Sequence, residues 1–367
     1  MRVLIAGGGT GGHLFPAFAV ARTVRQLHSD AEISWLGGAR GVESRLVPEA
    51  GYPLTLLAAP SLRPSGAGLL ATARDAAKLL WSIPQAIRLI RRVRPDVIFS
   101  TGGYIAIPML IAAWLTRTPS LLWEGNVQAG RSNTLVAPLA SHRAVAWRQT
   151  AERAPWSGAK TTVTGTPVRE LTIDRTTART ARGLSESDQL LLVFGGSQRV
   201  RRFETALDGA LATLLTEWSV LHVVMEGLPE AERRRASLPA ELRDRYLPVA
   251  FLGGGEMEGA LVSADLMLGR AGASTIAEAA AAGLPAIIVP YPFAGGHQRA
   301  NAEAAAAAGA ATLINDEELT SERLLAAVAN YATPAQRAAA ARAATTLAHP
   351  DAAMVIAQRL LQLGGRG

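Results

Sequence analysis

The residues best suited to chemistry in this chain lie in glycine-rich turns that follow short apolar runs. Residues 7–12 read Gly-Gly-Gly-Thr-Gly-Gly, follow a strand-like run at residues 2–6 and lead into His13 and an expected helix at residues 17–27. In such a strand–loop–helix unit, backbone N–H groups at the helix start bind anions. Because histidine transfers protons near neutral pH, His13 is a candidate general base beside a candidate phosphate site.

Three further turns in the second half carry candidate binding residues. Ser197 lies in the Gly-Gly-Ser-Gln turn at residues 195–198, after the apolar run 190–194. Glu278 follows the loop 269–275, where it either interacts with the helix dipole or accepts two ribose hydroxyl groups. Gln298, in the Pro- and Gly-rich stretch 290–301, either lies in a solvated loop or both donates to and accepts from sugar hydroxyls.

The first turn also matches the G-x-G-x-x-G pattern of dinucleotide-binding proteins, which is a weak signal by itself. That class needs a carboxylate at the end of the second strand to hold the ribose. Here the second strand-like run, residues 33–36, ends in Gly37 and Gly38. The pattern therefore disfavours a bound NAD or FAD, and we predict no cofactor.

Short apolar runs alternate with helical stretches along the whole chain, which predicts an α/β fold with parallel sheets. The glycine turn in each half indicates two Rossmann-like domains facing each other across a cleft, since ligands bind beyond the carboxyl ends of parallel strands. We expect domains at residues 1–162 and 163–340, and a C-terminal helix at 341–367 packing back on the first domain. The apolar runs that predict strands start at residues 3, 33, 54, 97, 120, 144, 190, 221, 249, 266, 286 and 311.

Composition narrows the class of protein. The 367 residues include no cysteine, which excludes disulfides and thiolate chemistry. The six histidines are scattered and no Asp-x-Asp follows a strand, so we predict no obligatory metal ion. We also expect no signal peptide and no bilayer-spanning segment.

The net charge of +7 is concentrated in the first half, where residues 1–160 hold 18 Lys+Arg against 8 Asp+Glu. Residues 62–94 mix cations with apolar side chains and include Trp81. Such a surface suits an anionic membrane, and the alternative is an ordinary packed helix with a basic solvated side. Nucleic-acid binding is disfavoured, because no binding module or aromatic stacking platform accompanies the basic residues.

Taken together, these motifs resemble the MurG family of bacterial peptidoglycan N-acetylglucosaminyltransferases. They occur in the family's order over residues 1 to about 315. The matching pieces are Gly8-Gly9-Thr10-Gly11-Gly12-His13, Gly102-Gly103-Tyr104, Glu124-x-Asn126, Gly165-x-Pro167-Val168-Arg169, Gly195-Gly196-Ser197-Gln198, Arg270-x-Gly272-Ala273 with Glu278, and His297-Gln298-x-x-Asn301.

The resemblance implies a fold of the GT-B type, with a membrane-facing, acceptor-binding N-terminal domain and a C-terminal domain that binds the UDP sugar. It implies nucleotide contacts at Arg169, Ser197, Glu278 and the main chain of Leu252. It further implies sugar and diphosphate contacts at Thr10, Gly11, Gly12, Asn126 and Gln298. The implied partners are UDP-N-acetylglucosamine, an undecaprenyl-linked acceptor and an anionic membrane at the cytoplasmic face of the cell, together with other cell-wall synthesis proteins.

The implied reaction moves N-acetylglucosamine to the 4-hydroxyl group of a lipid-linked muramoyl sugar, with inversion, in peptidoglycan synthesis. His13 and Glu124 are the two candidate bases: His13 follows the first glycine loop and is expected to point into the cleft, and Glu124 lies where a strand ends. The alternative for His13 is that it only positions the acceptor pyrophosphate or caps the turn. Alternatives to this activity are a UDP-sugar epimerase on a similar frame and a non-catalytic nucleotide-sugar or membrane-surface binding module.

The chain departs from the family pattern at three places. Family members often carry His-Glu-Gln-Asn where this chain has Trp123-Glu124-Gly125-Asn126. Arg199-Val200 replaces a usual Gly-Ala, and Thr166 replaces the Asn of Gly-Asn-Pro-Val-Arg.

Overall fold

The computed structural model describes residues 1–38, 41–57, 69–196, 199–292 and 296–365. The chain divides into two compact units. Unit 1 comprises Met1–Arg169 and His349–Gly367, and unit 2 comprises Glu170–Ala348.

These divisions fall later than the boundaries at residues 162/163 and 340/341 that the sequence indicates. The chain stays with unit 1 after residue 163 because hydrogen bonds hold it there. The Thr164 N–H donates to the Val145 carbonyl at 2.9 Å, and the Trp123 indole donates to the Gly165 carbonyl at 3.1 Å. Gly165 has a φ of +79°, and a Cβ there would lie 2.2 Å from His349. The segment that leaves unit 1 and the segment that returns to it therefore pack against each other within unit 1.

Unit 1 is built on a seven-stranded parallel sheet of order β3-β2-β1-β4-β5-β6-β7. Its strands are β1 (Arg2–Ala6), β2 (Glu32–Gly38), β3 (Leu54–Leu57), β4 (Val97–Ser100), β5 (Ser120–Glu124), β6 (His142–Val145) and β7 (Thr161–Val163). Its helices are α1 (Gly11–Leu27), α2 (Glu43–Glu49), α3 (Leu69–Val93), α4 (Ala106–Thr116), α5 (Arg131–Val136), α6 (Arg148–Ala151) and, from the end of the chain, α15 (Ala352–Leu363).

The central strands β4 and β5 of unit 1 are buried along their whole length because helices cover both faces of the sheet. One core cluster lies between the sheet, α1 and α15, and includes Trp35, Phe99 and Ile356. The C-terminal helix thus packs on α1 within unit 1.

Unit 2 holds a six-stranded parallel sheet of order β10-β9-β8-β11-β12-β13. Its strands are β8 (Gln189–Phe194), β9 (Trp218–Val223), β10 (Tyr246–Val249), β11 (Leu266–Gly269), β12 (Ala286–Ile288) and β13 (Ala311–Leu313). Its helices are α7 (Arg175–Thr180), α8 (Arg201–Leu214), α9 (Leu228–Ser237), α10 (Gly254–Ser263), α11 (Ala273–Ala281), α12 (His297–Ala307), α13 (Ser321–Ala329) and α14 (Pro334–Thr345).

Three expected elements differ from the structure. The C-terminal helix expected at residues 341–367 is instead two helices, with α14 ending at Thr345 in unit 2 and α15 spanning Ala352–Leu363 in unit 1. Only the first residue of the apolar run starting at residue 249 lies in a strand, because β10 ends at Val249. This strand starts three residues earlier and contains Pro248, which an edge strand tolerates because one side of its backbone has no partner in the sheet. The first helix starts at Gly11 rather than residue 17, with Thr10 as its N-cap, so His13 lies in its first turn.

No helix in the described part of the chain combines the length and apolar character needed to cross a membrane.

Candidate active site

In both units the glycine turns lie where the strand order reverses. In unit 1, β1 pairs with both β2 and β4, so the loops after β1 and β4 meet at the carboxyl edge of the sheet. In unit 2, β8 pairs with both β9 and β11 in the same way. Such reversal points form crevices in open α/β sheets and are their usual ligand sites.

His13 is held by a hydrogen bond that determines which ring nitrogen carries the proton. Its Nδ1 lies 2.7 Å from the carbonyl oxygen of Thr101, in the loop after β4. Because a carbonyl only accepts, Nδ1 carries hydrogen and Nε2 keeps a lone pair in the neutral ring. Thr10 and Gly12 beside it are exposed, and Gly11 is half-buried. The structure therefore places a proton acceptor next to an accessible helix N-terminus.

Glu124, the second candidate base, is buried at the end of β5 and accepts hydrogen bonds through both oxygens. Oε1 accepts from the backbone N–H and side-chain amide of Asn126, at 2.9 and 2.8 Å. Oε2 accepts from the Gly130 N–H and the Asn133 side chain, at 2.9 and 2.8 Å. The carboxylate thus organises the loop that carries Asn126, and its lone pairs are engaged in doing so.

Sequence reasoning missed a second buried carboxylate, Glu43, at the start of α2. It is fully buried and accepts from the Gly9 N–H and the Gly38 N–H, each at 2.8 Å. A Cβ on Gly8 would lie 2.4 Å from this carboxylate, so the first glycine turn packs directly on it. The signal that was available is an acidic residue two positions after Gly41, close behind the second strand. Because Glu43 accepts the Gly9 N–H, that donor is not available to an anion at this turn.

The departure from the family pattern at residue 125 has a packing cause. A Cβ on Gly125 would lie 2.4 Å from the ring of Trp123, which is buried. The Trp147 indole also donates to the Gly125 carbonyl at 3.0 Å. Glycine at 125 thus accommodates the bulk of Trp123, while Glu124 and Asn126 remain at the strand end.

Arg199, another departure from the family pattern, makes a bidentate ion pair with Glu204. Its Nε and Nη2 each lie 2.7 Å from a Glu204 oxygen, and this hydrogen bonding raises the pKa of Arg199. The guanidinium is therefore occupied within unit 2 itself.

Arg169, implied as a nucleotide contact, is the last residue of the first segment of unit 1. Its guanidinium carbon lies 5.3 Å from the ring centroid of Phe15, which is an exposed residue of α1. A cation over an aromatic face at this distance is an attractive contact. Arg169 is thereby held on the helix that begins with the first glycine turn.

In unit 2 the described residues that the resemblance implies in substrate binding lie at or near the carboxyl edge of the sheet. Leu252 is half-buried in the loop between β10 and α10. Glu278 is buried in the second turn of α11. The side-chain oxygen Oε1 of Gln298 accepts the Tyr291 N–H at 2.9 Å, so the side-chain amide is oriented by the loop after β12. Ser197 lies outside the described residues.

Arg270 and Asn301 brace this edge of unit 2. Arg270 pairs with Asp316 at 2.5 Å and donates to the carbonyls of Val289 and Pro290. Asn301 is fully buried and its amide donates to the Ala271 carbonyl at 3.1 Å. These bonds connect the loops after β11 and β12 to α12.

Two other histidines are packing residues rather than candidate bases. Burial lowers the pKa of His222 to about 3, and its Nδ1 lies 3.0 Å from the Tyr246 hydroxyl. Burial and the nearby Arg359 lower the pKa of His142 to about 4. Within the described residues, no group of three or more His, Cys, Asp or Glu side chains is arranged to hold a metal ion.

Comparison with known proteins agrees with this geometry. Residues 3–145 match the glycosyltransferase family 28 N-terminal domain, and residues 190–356 match the family's C-terminal domain. A UDP-N-acetylglucosamine--N-acetylmuramyl-(pentapeptide) pyrophosphoryl-undecaprenol N-acetylglucosamine transferase from Desulforudis audaxviator is 37% identical over the full length of both chains. The enzyme of the same name from Nitrosococcus oceani is 39% identical, covering 99% of each chain.

Solved structures show the same fold. MurG of Acinetobacter baumannii superposes with a TM-score of 0.77 at 27% identity, over 98% of this chain and 99% of that one. A UDP-GlcNAc 2-epimerase from Neisseria meningitidis, at 14% identity and a TM-score of 0.66 over 99% of this chain and 100% of that one, shares the fold alone. The expected α/β fold of GT-B type is confirmed, and the chain belongs to the MurG family within glycosyltransferase family 28.

Proposed function

We propose that this protein transfers N-acetylglucosamine from its UDP donor to the 4-hydroxyl group of lipid-linked N-acetylmuramoyl-pentapeptide, with inversion at the anomeric carbon. The chain is a UDP-N-acetylglucosamine-dependent glycosyltransferase acting in peptidoglycan synthesis. The observation that carries this is identity of 37% and 39% to transferases of that name over essentially the whole chain. Under this proposal, unit 1 binds the acceptor and unit 2 binds the UDP sugar.

His13 acts as the base in this scheme. Its Nδ1–H is held by Thr101, so Nε2 takes the proton of the acceptor 4-hydroxyl group as the oxygen attacks. The new C–O bond forms on the face opposite the nucleotide. The bond from the anomeric carbon to the diphosphate breaks, and UDP leaves with that electron pair.

The departing diphosphate needs charge stabilisation, which backbone donors at helix N-termini supply. Thr10, Gly11 and Gly12 at the start of α1 are assigned to the sugar and diphosphate, together with Asn126 and Gln298. Glu278 is assigned to the ribose. The other assigned nucleotide contacts are Arg169, Ser197 and the main chain of Leu252.

Measuring UDP release with and without lipid acceptor tests this function. We expect release that depends on the lipid-linked muramoyl acceptor and persists in excess chelator, because the charge on UDP is met by amides and side chains. An epimerase would convert the donor sugar with no acceptor present, and a binding module would release nothing. Complete loss of activity in chelator, restored by Mg²⁺, would contradict the metal-free scheme.

A basic apolar surface on unit 1 supports membrane attachment. It is defined by exposed apolar side chains on α3, α4 and α5, which pack against one another in that order, and by exposed cations among them. Its apolar members are Leu80, Trp81, Trp114, Leu115 and Leu135, and its cations are Lys78, Arg88, Arg91, Arg92 and Arg117. A tryptophan-bearing cationic surface suits an anionic leaflet. We therefore place the protein peripherally on the cytoplasmic face of the membrane, where other cell-wall synthesis proteins are its expected neighbours.

Removing three cations of this surface is expected to weaken binding to anionic vesicles. In the variant Arg88→Ala/Arg91→Ala/Arg92→Ala, a loss of about 1 kcal/mol per cation reduces partitioning by on the order of 100-fold. Flotation with phosphatidylglycerol-containing vesicles measures this. The control replaces three exposed arginines of unit 2, in Arg233→Ala/Arg323→Ala/Arg342→Ala, and is expected to float like the wild type. Equal flotation of both variants would contradict the proposal.

A further inference from the structure

Asn133, on α5, connects two loops of unit 1 through a single buried side chain. It is 3% exposed. Its amide nitrogen donates to Glu124 Oε2 at 2.8 Å, and its amide oxygen accepts the Gly103 N–H at 3.1 Å. Donor and acceptor are both used, so the orientation of the amide is determined at both ends.

The Glu124 end of this connection is a fixed anchor. Its four hydrogen-bond donors come from the backbone at residues 126 and 130 and from two side-chain amides. A carboxylate whose two oxygens together accept four hydrogen bonds is fixed in position and orientation. Glu124 thus sets the position of Asn133.

The Gly103 end of the connection lies against His13. Gly102 and Gly103 have φ of +93° and +80°, a left-handed pair of conformations that glycine adopts readily. A Cβ on Gly102 would lie 2.2 Å from the Asn133 side-chain nitrogen, and a Cβ on Gly103 would lie 3.7 Å from His13 Nε2. The preceding residue, Thr101, supplies the carbonyl that accepts from His13 Nδ1. The loop held by Asn133 therefore supplies the carbonyl that orients the histidine ring, and Gly103 of that loop lies beside the ring.

We infer that Asn133 and Glu124 form a positioning pair for His13, with Glu124 acting through Asn133 and not as the base. This inference rests on the proposed function, in which His13 takes the acceptor proton. It gives Glu124 a role at the strand end that is compatible with the engagement of both its oxygens by the protein.

A charge-swap experiment tests the pair. In Asn133→Asp, one oxygen still accepts from Gly103 while the other faces Glu124, and the two carboxylates repel. In Glu124→Gln, one carboxylate oxygen becomes an NH₂ group that can no longer accept the hydrogen bonds that Gly130 and Asn133 donate to Oε2. Each single variant should lower kcat roughly 10- to 100-fold, the loss expected when a hydrogen bond to a charged group is disrupted.

The double variant Glu124→Gln/Asn133→Asp restores a donor facing a carboxylate, so we expect kcat to recover about tenfold over the weaker single variant. A catalytic base at residue 124 would leave the double variant as slow as Glu124→Gln, which would overturn the inference. The UDP dissociation constant should stay unchanged throughout. Arg131→Ala, at the exposed start of α5, is the matched control and should keep wild-type kcat.

A second measurement is independent of turnover. Imidazole ¹⁵N shifts of His13 should show hydrogen on Nδ1 in the wild type and a mixture of tautomers in Asn133→Asp. A wild-type tautomer together with a wild-type kcat in that variant would overturn the positioning role. Failure of the wild type to transfer sugar to the lipid acceptor would instead overturn the proposed function. The ¹⁵N spectra report the His13 tautomer without any transfer, so they distinguish the two failures.

Discussion

Replacing His13 by alanine should lower kcat by roughly 10²- to 10⁴-fold, the usual contribution of a positioned general base. The reason is geometric. The Thr101 carbonyl holds hydrogen on Nδ1 at 2.7 Å, which leaves Nε2 as the proton acceptor. His13→Gln should be similarly slow, because an amide nitrogen can still donate to Thr101 but the amide cannot take up a proton at neutral pH.

Steady-state kinetics with lipid acceptor, together with calorimetric titration of UDP, measures this effect. The UDP dissociation constant should change little, because the ribose and uracil contacts are assigned to unit 2. His28→Ala is the matched control, since His28 caps the opposite end of the same helix and should keep wild-type kcat. A His13→Ala variant with more than about a tenth of wild-type kcat would remove this residue from the mechanism.

Replacing Glu278 by glutamine should weaken UDP binding by roughly 10- to 100-fold. A carboxylate accepts both ribose hydroxyl groups, whereas an amide accepts only one, and a hydrogen bond to a charged group contributes about 1.5–3 kcal/mol. Glu278 lies in the second turn of α11, where the helix dipole contributes little, so a purely electrostatic role is a weak explanation for a buried carboxylate there.

Calorimetry with UDP and with uracil alone separates the ribose contact from the base contact. The loss should appear for UDP, while kcat at saturating donor should fall much less than the dissociation constant rises. Glu303→Gln is the matched control, an exposed glutamate on α12 that pairs with Arg299. Wild-type UDP affinity in Glu278→Gln would show that this carboxylate serves the fold and not the nucleotide.

Much of the fold could be predicted because turn chemistry and apolar runs are local signals. The runs around β1, β4, β8 and β11 were placed at or within a residue or two of the observed strands, and these four strands flank both reversal points. The prediction was wrong at β10. Pro248 argues against a strand in the sequence, whereas the apolar residues after it, which include the exposed Phe251, favour one. Apolar character alone does not reveal whether the residues of a short run are buried in the sheet or exposed in the loop beside it.

The sequence by itself determined which chemical groups stand at the strand ends, and so the family and the class of reaction. The tertiary structure decided what each group is free to do. His13 gained a defined tautomer through a carbonyl 88 residues away, and Glu124 became an anchor through donors from the following loop and from α5. Every residue has the same backbone carbonyl, and every residue except proline has the same N–H, so no side-chain pattern in the sequence reveals which of these groups a buried residue will contact.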